Sequence, residues 1–346
     1  MRSLEGFGMR RYVGLMMGTC AVLAGCGDDV SAPGVSWDAG ATVVDAGTSA
    51  GDVGSLPDRG ESGDAGQPAA DAGAPAEDAG PDPACDVDGD GFLSEACGGR
   101  DCDDEDRSAN PDGTERCSFV DENCDGDNNE DLDCSFWAHG PRRLFSVDPF
   151  EQVVEEIGPT TLDGRRISLF DIDIDPQGQL VGISSNQLIQ LDNEGRGRTV
   201  ARVRTPANIN GLAIDSEGTI FLTQSSGRPA QAYTLTMDGR LDSLGDLTPY
   251  ASSGDCVVLK DDSLLMTSRN PEGGNDLLVY VDSRSAQTRL IGTMGAPRVY
   301  ALSASFGYLF GLTDEGRVLL VNDQTGATEE LFREAGVQFY GAANGD

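Results

Sequence analysis

Short apolar runs alternate with turn residues from about residue 136 to the end of the chain. Runs such as LIQL at 188–191 and LVYV at 278–281 are separated by clusters rich in Gly, Asp, Asn and Ser. Brief runs of Leu, Val and Ile that are bounded by turn residues predict β-strands. We therefore expect this part of the chain to be built from strands.

The strand pattern repeats. An apolar strand followed by Asp recurs five times at spacings of 44, 46, 44 and 41 residues, namely at Asp148, Asp192, Asp238, Asp282 and Asp323. An earlier strand–turn–strand segment, such as GLAIDSEGTIFLTQ at 211–224, lies between the recurrences. A period of about 40 to 45 residues with four strands per unit is typical of a β-propeller.

The two ends of this region complement each other. Residues 136–148 align with 180–192, so the region begins at the second strand of a unit, and 339–346 align with a first strand and its turn. Together they would complete one blade, which leaves no open sheet edges. We predict an all-β fold with a five-bladed propeller of four-stranded blades over 136–346, closed by both ends. An open or six-bladed propeller and a two-sheet sandwich are the competing interpretations.

An apolar run also stands near the start of the chain, at 12–23, after Arg2, Arg10 and Arg11. It is shorter than the ~20 residues that a membrane-spanning helix needs and has the length of a signal-peptide core. The following Leu-Ala-Gly-Cys, 23–26, resembles the bacterial lipoprotein box. The resemblance implies a signal peptide over 1–25, a lipid anchor on Cys26, and a place in the bacterial cell envelope. The outer membrane or cell surface is favoured, and the periplasmic side stays open. The alternative is an ordinary cleavage site in which Cys26 is incidental.

Residues 26–84 show no helical or strand period. They consist largely of Ala, Gly, Asp, Pro and Ser, and the tripeptide Asp-Ala-Gly recurs in them. Low hydrophobicity combined with negative charge is typical of disordered chains. We expect a disordered tether to follow the lipidated Cys26. The tether would hold the folded parts away from the membrane, or it would be a flexible linker with no further task.

Residues 85–134 combine cysteines with acidic residues. The segment has eighteen Asp and Glu, three Arg, and six of the nine cysteines, which are Cys85, Cys97, Cys102, Cys117, Cys124 and Cys134. So few apolar residues cannot form a core without staples. Disulfides persist in an oxidising compartment, and the spacing lacks the close C-x₂-C pairs typical of zinc sites. We predict a disulfide-rich module, with all 15 pairings open.

The module opens with a calcium-loop pattern, D-x-D-G-D-G at 86–91. Alternating Asp side chains can converge on one cation while the glycine allows a sharp turn. Position twelve holds Cys97 in place of the EF-hand Glu, and no helix-length segment flanks the loop, so this is not an EF-hand. The candidate ligands are Asp86, Asp88, Asp90, the carbonyl of Phe92, and Ser94 through water.

Two more oxygen-rich clusters follow, one with Asp101, Asp103 and Asp104 and one with Asp121, Asn123, Asp125 and Asp127. With the neighbouring cysteines they resemble the MopE-type copper-binding repeat of bacterial envelope proteins. The matching residues are Asp101, Cys102, Asp103, Asp104, Pro111, Glu115, Cys117, Asp121, Asn123, Cys124, Asp125 and Gly126. The chain departs from the pattern at 112–114 and 118–119. The resemblance implies metal binding, with copper suggested by the family name only.

Oxygen ligands without imidazole favour hard ions such as Ca²⁺ over copper. The one histidine, His139, lies outside the module. For the second and third clusters, a merely solvated acidic surface is an equal alternative.

The formal net charge of −35 opposes binding to nucleic acid, which needs a basic surface. It favours cations and basic partners. We therefore expect no nucleic-acid partner, contact with the membrane only through the lipid anchor, and a protein or glycan ligand for the propeller.

Carboxylates in or beside the first strands of the blades could carry chemistry. These are Asp171, Asp173, Asp175, Asp215 and Asp255. Asp175 and Asp215 stand before turn residues, where Asp is favoured for its local hydrogen bonds, and we predict the same turn role for the Asp residues that follow the third strands. The sequence lacks a Walker motif, and Cys256 is expected to be a buried small residue. We predict a non-enzymatic binding protein with no catalytic residues. The alternative is a metal-dependent propeller hydrolase or lactonase that uses channel carboxylates, which would have to converge at one mouth of the channel.

Overall fold

Twenty-two strands and one short 3₁₀ helix, η1 (Glu95–Cys97), form the part of the chain that a computed structural model describes, residues 84–227 and 229–345. The strands are β1 (Phe136–Gly140), β2 (Arg143–Asp148), β3 (Val153–Pro159), β4 (Thr161–Leu162), β5 (Arg165–Arg166), β6 (Asp171–Ile174), β7 (Leu180–Ile183), β8 (Gln187–Leu191), β9 (Arg196–Arg202), β10 (Ile209–Ile214), β11 (Ile220–Gln224), β12 (Gln231–Leu235), β13 (Leu241–Asp246), β14 (Ser252–Val258), β15 (Leu264–Ser268), β16 (Leu277–Val281), β17 (Thr288–Thr293), β18 (Val299–Ser305), β19 (Tyr308–Thr313), β20 (Arg317–Val321), β21 (Thr328–Arg333) and β22 (Gly341–Ala342).

The strands form five sheets, and the prediction of a five-bladed propeller is confirmed. Blade I has the order β22-β1-β2-β3, and blades II to V are β6–β9, β10–β13, β14–β17 and β18–β21. Blade II is extended by the hairpin β5-β4, whose strand β4 pairs in parallel with β9. The inner strands are almost wholly buried, whereas the outermost strands β13, β17 and β21 are mostly exposed. This explains the continuous apolar runs of the inner strands.

The ring is closed by both ends of the region, as predicted. Strand β22 pairs antiparallel with β1, with Ala138 opposite Ala342 and His139 opposite Gly341. Gly341 is needed at this point, because a Cβ there would lie 1.8 Å from Oδ1 of Asp171. The last strand thereby covers the inner edge of β1.

The core lies between the blades. The buried apolar side chains fall into five clusters in the described residues, and each cluster fills one interface between neighbouring blades. Phe136 of blade I, for example, stacks on Phe310 of blade V with ring centroids 5.4 Å apart. Each blade therefore buries its two faces against two neighbours, which fixes the ring as one packed unit.

The Asp residues after the third strands mostly have the predicted turn role. Oδ1 of Asp148 accepts the backbone N–H groups of Phe150 and Glu151, and Asp192 and Asp282 act in the same way. In blade V the prediction is wrong by one residue. There Asn322, not Asp323, accepts the turn N–H groups, because β20 ends at Val321.

The cysteine module packs on the propeller. Phe119 contacts Phe150 and Tyr308 with ring centroids 4.7 and 5.3 Å apart. Module and propeller belong to the same unit, Gly73–Asp346. Aromatic side chains of blades I and V therefore form the surface on which the module packs.

The signal peptide, Cys26 and nearly all of the tether were predicted within residues 1–83, which lie outside the described residues. Among the residues that are described, no helix has the length and apolar character needed to cross a membrane.

Candidate functional site: an acidic cation site and a carboxyl-lined channel

Three disulfides frame the acidic module, so the prediction of a disulfide-rich module is confirmed. The pairs are Cys85–Cys97, Cys102–Cys124 and Cys117–Cys134. Of the 15 possible pairings, this one joins the first two cysteines to each other and crosslinks the last four in an interleaved order. The first bond closes the loop that carries the calcium pattern.

Local hydrogen bonds shape that loop. Oδ1 of Asp88 accepts the N–H of Asp90 at 3.0 Å, and Oδ1 of Asp90 accepts the N–H of Phe92 at 2.8 Å. Gly91 has φ +100°, a left-handed conformation that favours glycine, and Ser94 N–H donates to the Cys85 carbonyl. Oδ2 of Asp90 accepts a hydrogen bond from Nδ2 of Asn110 at 2.8 Å, so of Asp88 and Asp90 only Asp88 keeps an oxygen without a partner.

Carboxylates converge in this loop. Ligand atoms of Asp86, Asp88 and Asp90 all lie within 4.8 Å of one another. Asp101 and Asp104, which the sequence had placed in a separate cluster, lie close enough to interact electrostatically with Asp88. Asp104 is tied to the loop because its Oδ1 accepts the N–H of Val87. These five residues are called the Asp cluster below.

The Asp cluster contains carboxylate oxygens without partners. Oδ1 of Asp86, Oδ2 of Asp88 and Oδ2 of Asp101 are buried and accept no hydrogen bond from the described residues, and Asp101 as a whole is 1% exposed. Burial, reinforced by repulsion from neighbouring carboxylates, raises the pKa of Asp88 and of Asp101. Buried acceptors without donors are costly, and a divalent cation held by Asp86 and Asp88 would satisfy two of them.

The remaining predicted ligands lie elsewhere in the module. Asp103 is exposed and accepts the N–H of Glu105. In the second loop, Asp121 accepts the N–H groups of Asp125 and Gly126, and Asn123 Oδ1 also accepts that of Asp125. Oδ1 of Asp125 accepts the N–H of Asp127. These side chains fold the second loop, and their role as metal ligands stays a prediction.

Two glutamates that sequence reasoning did not assign hold the module together. Glu115 accepts the N–H groups of Asn123 and Asn129 at 3.0 and 2.7 Å. Glu122 is 0% exposed and accepts from the backbone of Arg116 and the hydroxyl of Ser118. The family pattern contained Glu115 as a matching position, which was a usable signal, but nothing in the local sequence singled out Glu122.

The channel carboxylates of the propeller bridge neighbouring blades. Asp171 and Asp173 of β6 accept the N–H groups of Leu212 and Ile214 of β10. Asp255 of β14 accepts the N–H groups of Leu302 and Ala342. These carboxyls are buried, and two of them, Asp171 and Asp255, interact with each other. Asp175 and Asp215 have the predicted turn role, because each accepts two N–H groups of its own turn.

Two of the channel carboxyls form a pair. Asp171 and Asp255 are hydrogen-bonded to each other, and burial raises the pKa of both, that of Asp255 to about 7. Nε2 of His139 lies 3.8 Å from Oδ1 of Asp171, and burial lowers the pKa of His139 to about 4. Cys256 is buried beside the pair and its thiol pKa is raised. The pair therefore holds a proton near neutral pH, next to a neutral imidazole.

Comparison with known proteins gives no family for this chain. No protein-family model and no curated protein matches it. Among solved structures, a gluconolactonase from Xanthomonas campestris is similar at 18% identity and TM-score 0.39, with 61% of this chain and 80% of that chain covered. A virginiamycin B lyase from Staphylococcus aureus is similar at 15% identity and TM-score 0.35, with 55% of this chain covered. This chain spans only 62% of that lyase's length. Similarities at this level carry no argument about activity.

Proposed function

We propose that this chain is a non-enzymatic lipoprotein of the bacterial cell envelope, in which the acidic module binds calcium and the propeller binds a protein or glycan partner. One observation supports calcium binding. In the Asp cluster, carboxylate ligand atoms lie close together and several buried oxygens lack hydrogen-bond donors. The lipid anchor at Cys26 rests on the sequence resemblance alone.

The donor set of the Asp cluster suits calcium. Ca²⁺ takes six to eight oxygen ligands, including carboxylates, carbonyls and water, whereas copper prefers imidazole or sulfur. The cysteines of the module are bonded to one another, and His139 lies in β1 of the propeller. Copper, suggested only by the family name, would find neither of its preferred ligands there. The Phe92 carbonyl and a water on Ser94 would complete the shell.

Calcium would act as a structural link. Asp86, Asp88 and Asp90 come from the loop closed by the first disulfide, whereas Asp101 and Asp104 flank Cys102, which is bonded to Cys124. A shared cation would therefore join two disulfide-bonded parts of the module. The module packs on Phe150 and Tyr308 of the propeller. The ion would therefore also stiffen the segment that links the propeller to the predicted tether.

A binding role for the propeller is supported by how the channel carboxylates are used. An acid, base or metal ligand needs contact with substrate or ion, but Asp171, Asp173 and Asp255 are buried and each accepts at least two backbone N–H groups. The hydrolase or lactonase alternative would therefore have to use residues other than those that suggested it.

The calcium proposal is tested by thermal unfolding of the full-length oxidised protein. Millimolar CaCl₂ should raise Tm, and a chelator should reverse the shift, because extracellular calcium modules bind at about 10⁻⁴ to 10⁻³ M. Asp88→Asn should remove most of the calcium shift. It should also raise Tm in chelator, since Oδ1 can still accept from Asp90 while one repelling charge is lost.

The matched control is Asp112→Asn, which removes one charge from an exposed site in the same module. It should leave both values as in the wild type. The absence of a calcium shift in the wild type, or the same shift in Asp88→Asn, would contradict the calcium site. The lipid anchor is tested separately by palmitate labelling in cells, which Cys26→Ser should abolish.

A further inference from the structure

A cavity of about 340 Å³ opens at one mouth of the propeller channel. Residues of all five blades line it, and most of them lie near the start of an innermost strand. Cavities of about 300 to 1,000 Å³ with an apolar wall and a few polar groups are typical of small-ligand sites. This cavity is at the small end of that range, sufficient for one ring and its substituents.

One arc of the cavity wall is aromatic. Phe170, Tyr300 and Tyr340 come from blades II, V and I, which are consecutive in the ring, and all three are only partly buried. The rings of Tyr300 and Tyr340 are nearly parallel, at 15°, with centroids 6.0 Å apart. Such faces offer a stacking surface, and the two hydroxyls can hydrogen-bond at the rim.

The opposite arc is polar and comes from blades III and IV. Nδ2 of Asn210 donates to the Ser252 carbonyl, and its Oδ1 is buried in the wall without a partner among the described residues. Ser253, which is buried, lines the cavity and donates its hydroxyl to the carboxylate of Asp276 at 2.7 Å, so its oxygen can still act as an acceptor. Two acceptors in the wall of a cavity favour a ligand that brings O–H donors.

Arg269 provides the charge of this arc. It follows β15 and its side chain is exposed. It forms no ion pair within 4.0 Å in the described part of the chain, although it interacts electrostatically with Asp276. It is the one charged residue among the described residues that line the cavity. A guanidinium without an ion-pair partner is suited to a carboxylate, which it can bind through two parallel hydrogen bonds.

We propose that this mouth binds a single uronic acid residue, a sugar ring that carries one carboxylate. The sugar would stack on the aromatic arc, donate hydroxyl protons to Asn210 and Ser253, and place its carboxylate on Arg269. The net charge of −35 would repel polyanionic chains, so one isolated carboxylate fits better than a polysulfated or polyuronate glycan. The inference rests on the proposed binding role of the propeller and names its ligand class.

The test is calorimetric titration of the full-length protein with galacturonate and glucuronate, and with galactose and glucose as neutral counterparts. The uronates should bind and the neutral hexoses should bind about tenfold to a hundredfold more weakly, the range for a charged hydrogen bond. Arg269→Gln should abolish this preference. Arg202→Gln, on the exposed outer strand β9, should leave it intact.

No binding of either uronate, equal binding of uronate and hexose, or a preference that survives in Arg269→Gln would overturn the proposal. NMR of the sugar after incubation should return it unchanged, since conversion would mean catalysis rather than binding. Calcium-dependent Tm is measured on the same samples. A normal calcium shift without uronate binding refutes this inference alone, whereas uronate binding without a calcium shift refutes the calcium proposal alone.

Discussion

At the scale of single residues, the most unusual feature is the buried pair Asp171–Asp255. Two carboxyls in contact within a protein interior cannot both be ionised at small cost, so they share a proton. Each also accepts backbone N–H groups from a neighbouring blade, which stabilises a remaining negative charge. The pair therefore links neighbouring blades, and its contribution to stability depends on whether the shared proton is bound.

This arrangement makes stability pH-dependent. Burial raises the pKa of Asp171, of Asp173 to about 6, and of Asp255 to about 7. A carboxyl with a folded pKa above its unfolded pKa of about 3.9 contributes stability that is complete below that value and is lost as pH rises towards the folded pKa. His139, with its pKa lowered to about 4, acts in the opposite sense between pH 4 and 6.5. The three aspartates lower stability as pH rises, and only His139 raises it. The free energy of unfolding in chelator should therefore fall from pH 5 to 7, as measured by urea titration.

The control variant is Asp255→Asn, which cannot ionise. An amide would turn its NH₂ towards a backbone donor, so this variant should be less stable at every pH. The informative quantity is the slope, which should flatten by up to about 1.4 kcal/mol per pH unit. An unchanged slope in the variant, or a wild type that gains stability from pH 5 to 7, would contradict the shared proton.

What the sequence can reveal about an aspartate depends on how far away its partner is. The turn roles of Asp175 and Asp215 were predictable, because their acceptor bonds reach only two to four residues along the chain. The bonds between blades were not predictable, since Asp171 and Asp255 accept backbone N–H groups 41 and 47 residues away. The loop of Asp88 was found through its local spacing, but the approach of Asp101 depends on how the module folds.

At the scale of elements, the link between the module and the propeller is a small aromatic group. Phe119 is 41% exposed yet touches Phe150 and Tyr308. Aromatic pairs contribute about 0.5 to 1.5 kcal/mol each beyond the area they bury. The contact joins two parts that each have their own means of stabilisation, disulfides in the module and blade packing in the propeller.

Phe119→Ala should therefore loosen the module without unfolding either part. We expect the free energy for opening this contact to fall by about 1 to 3 kcal/mol, seen as faster amide hydrogen exchange at 117–120 and at 306–308. Leu132→Ala is the control, because Leu132 has a similar exposure of 44% in the same module. Equal exchange in the two variants would show that the aromatic contact does not hold the module.

The strands and their grouping into blades were predictable because each blade repeats the same local pattern about every 44 residues. The disulfide pairing was not, because six cysteines in a segment without apolar periodicity allow many pairings of similar loop length. Contact between module and propeller was also beyond prediction, since a single exposed Phe has no pattern that specifies its partner.

At the scale of the whole molecule, the ring depends on its last few residues. The N–H groups of Tyr340 and Ala343 donate to His139 and Trp137 of β1, both at 2.8 Å. Asn344 then crosses the channel. Its backbone N–H donates to Asp173, its Oδ1 accepts the N–H of Ala304, and its Nδ2 donates to the Val258 carbonyl. One residue thus ties blades II, IV and V to the closing strand of blade I.

Asn344→Ala keeps β22 but removes the two side-chain bonds, which leaves the Ala304 N–H and the Val258 carbonyl without their partners. Because both lie at the part-buried end of the channel, the free energy of unfolding in urea should fall by about 2 to 4 kcal/mol. Asn193→Ala, at an exposed turn, should change it by less than about 0.5 kcal/mol. If the two variants were equally stable, the closure would rest on the strand pairing of β22 with β1 alone. The expected loss in Asn344→Ala would instead mean that the side-chain hydrogen bonds of Asn344 to blades IV and V stabilise the closed ring.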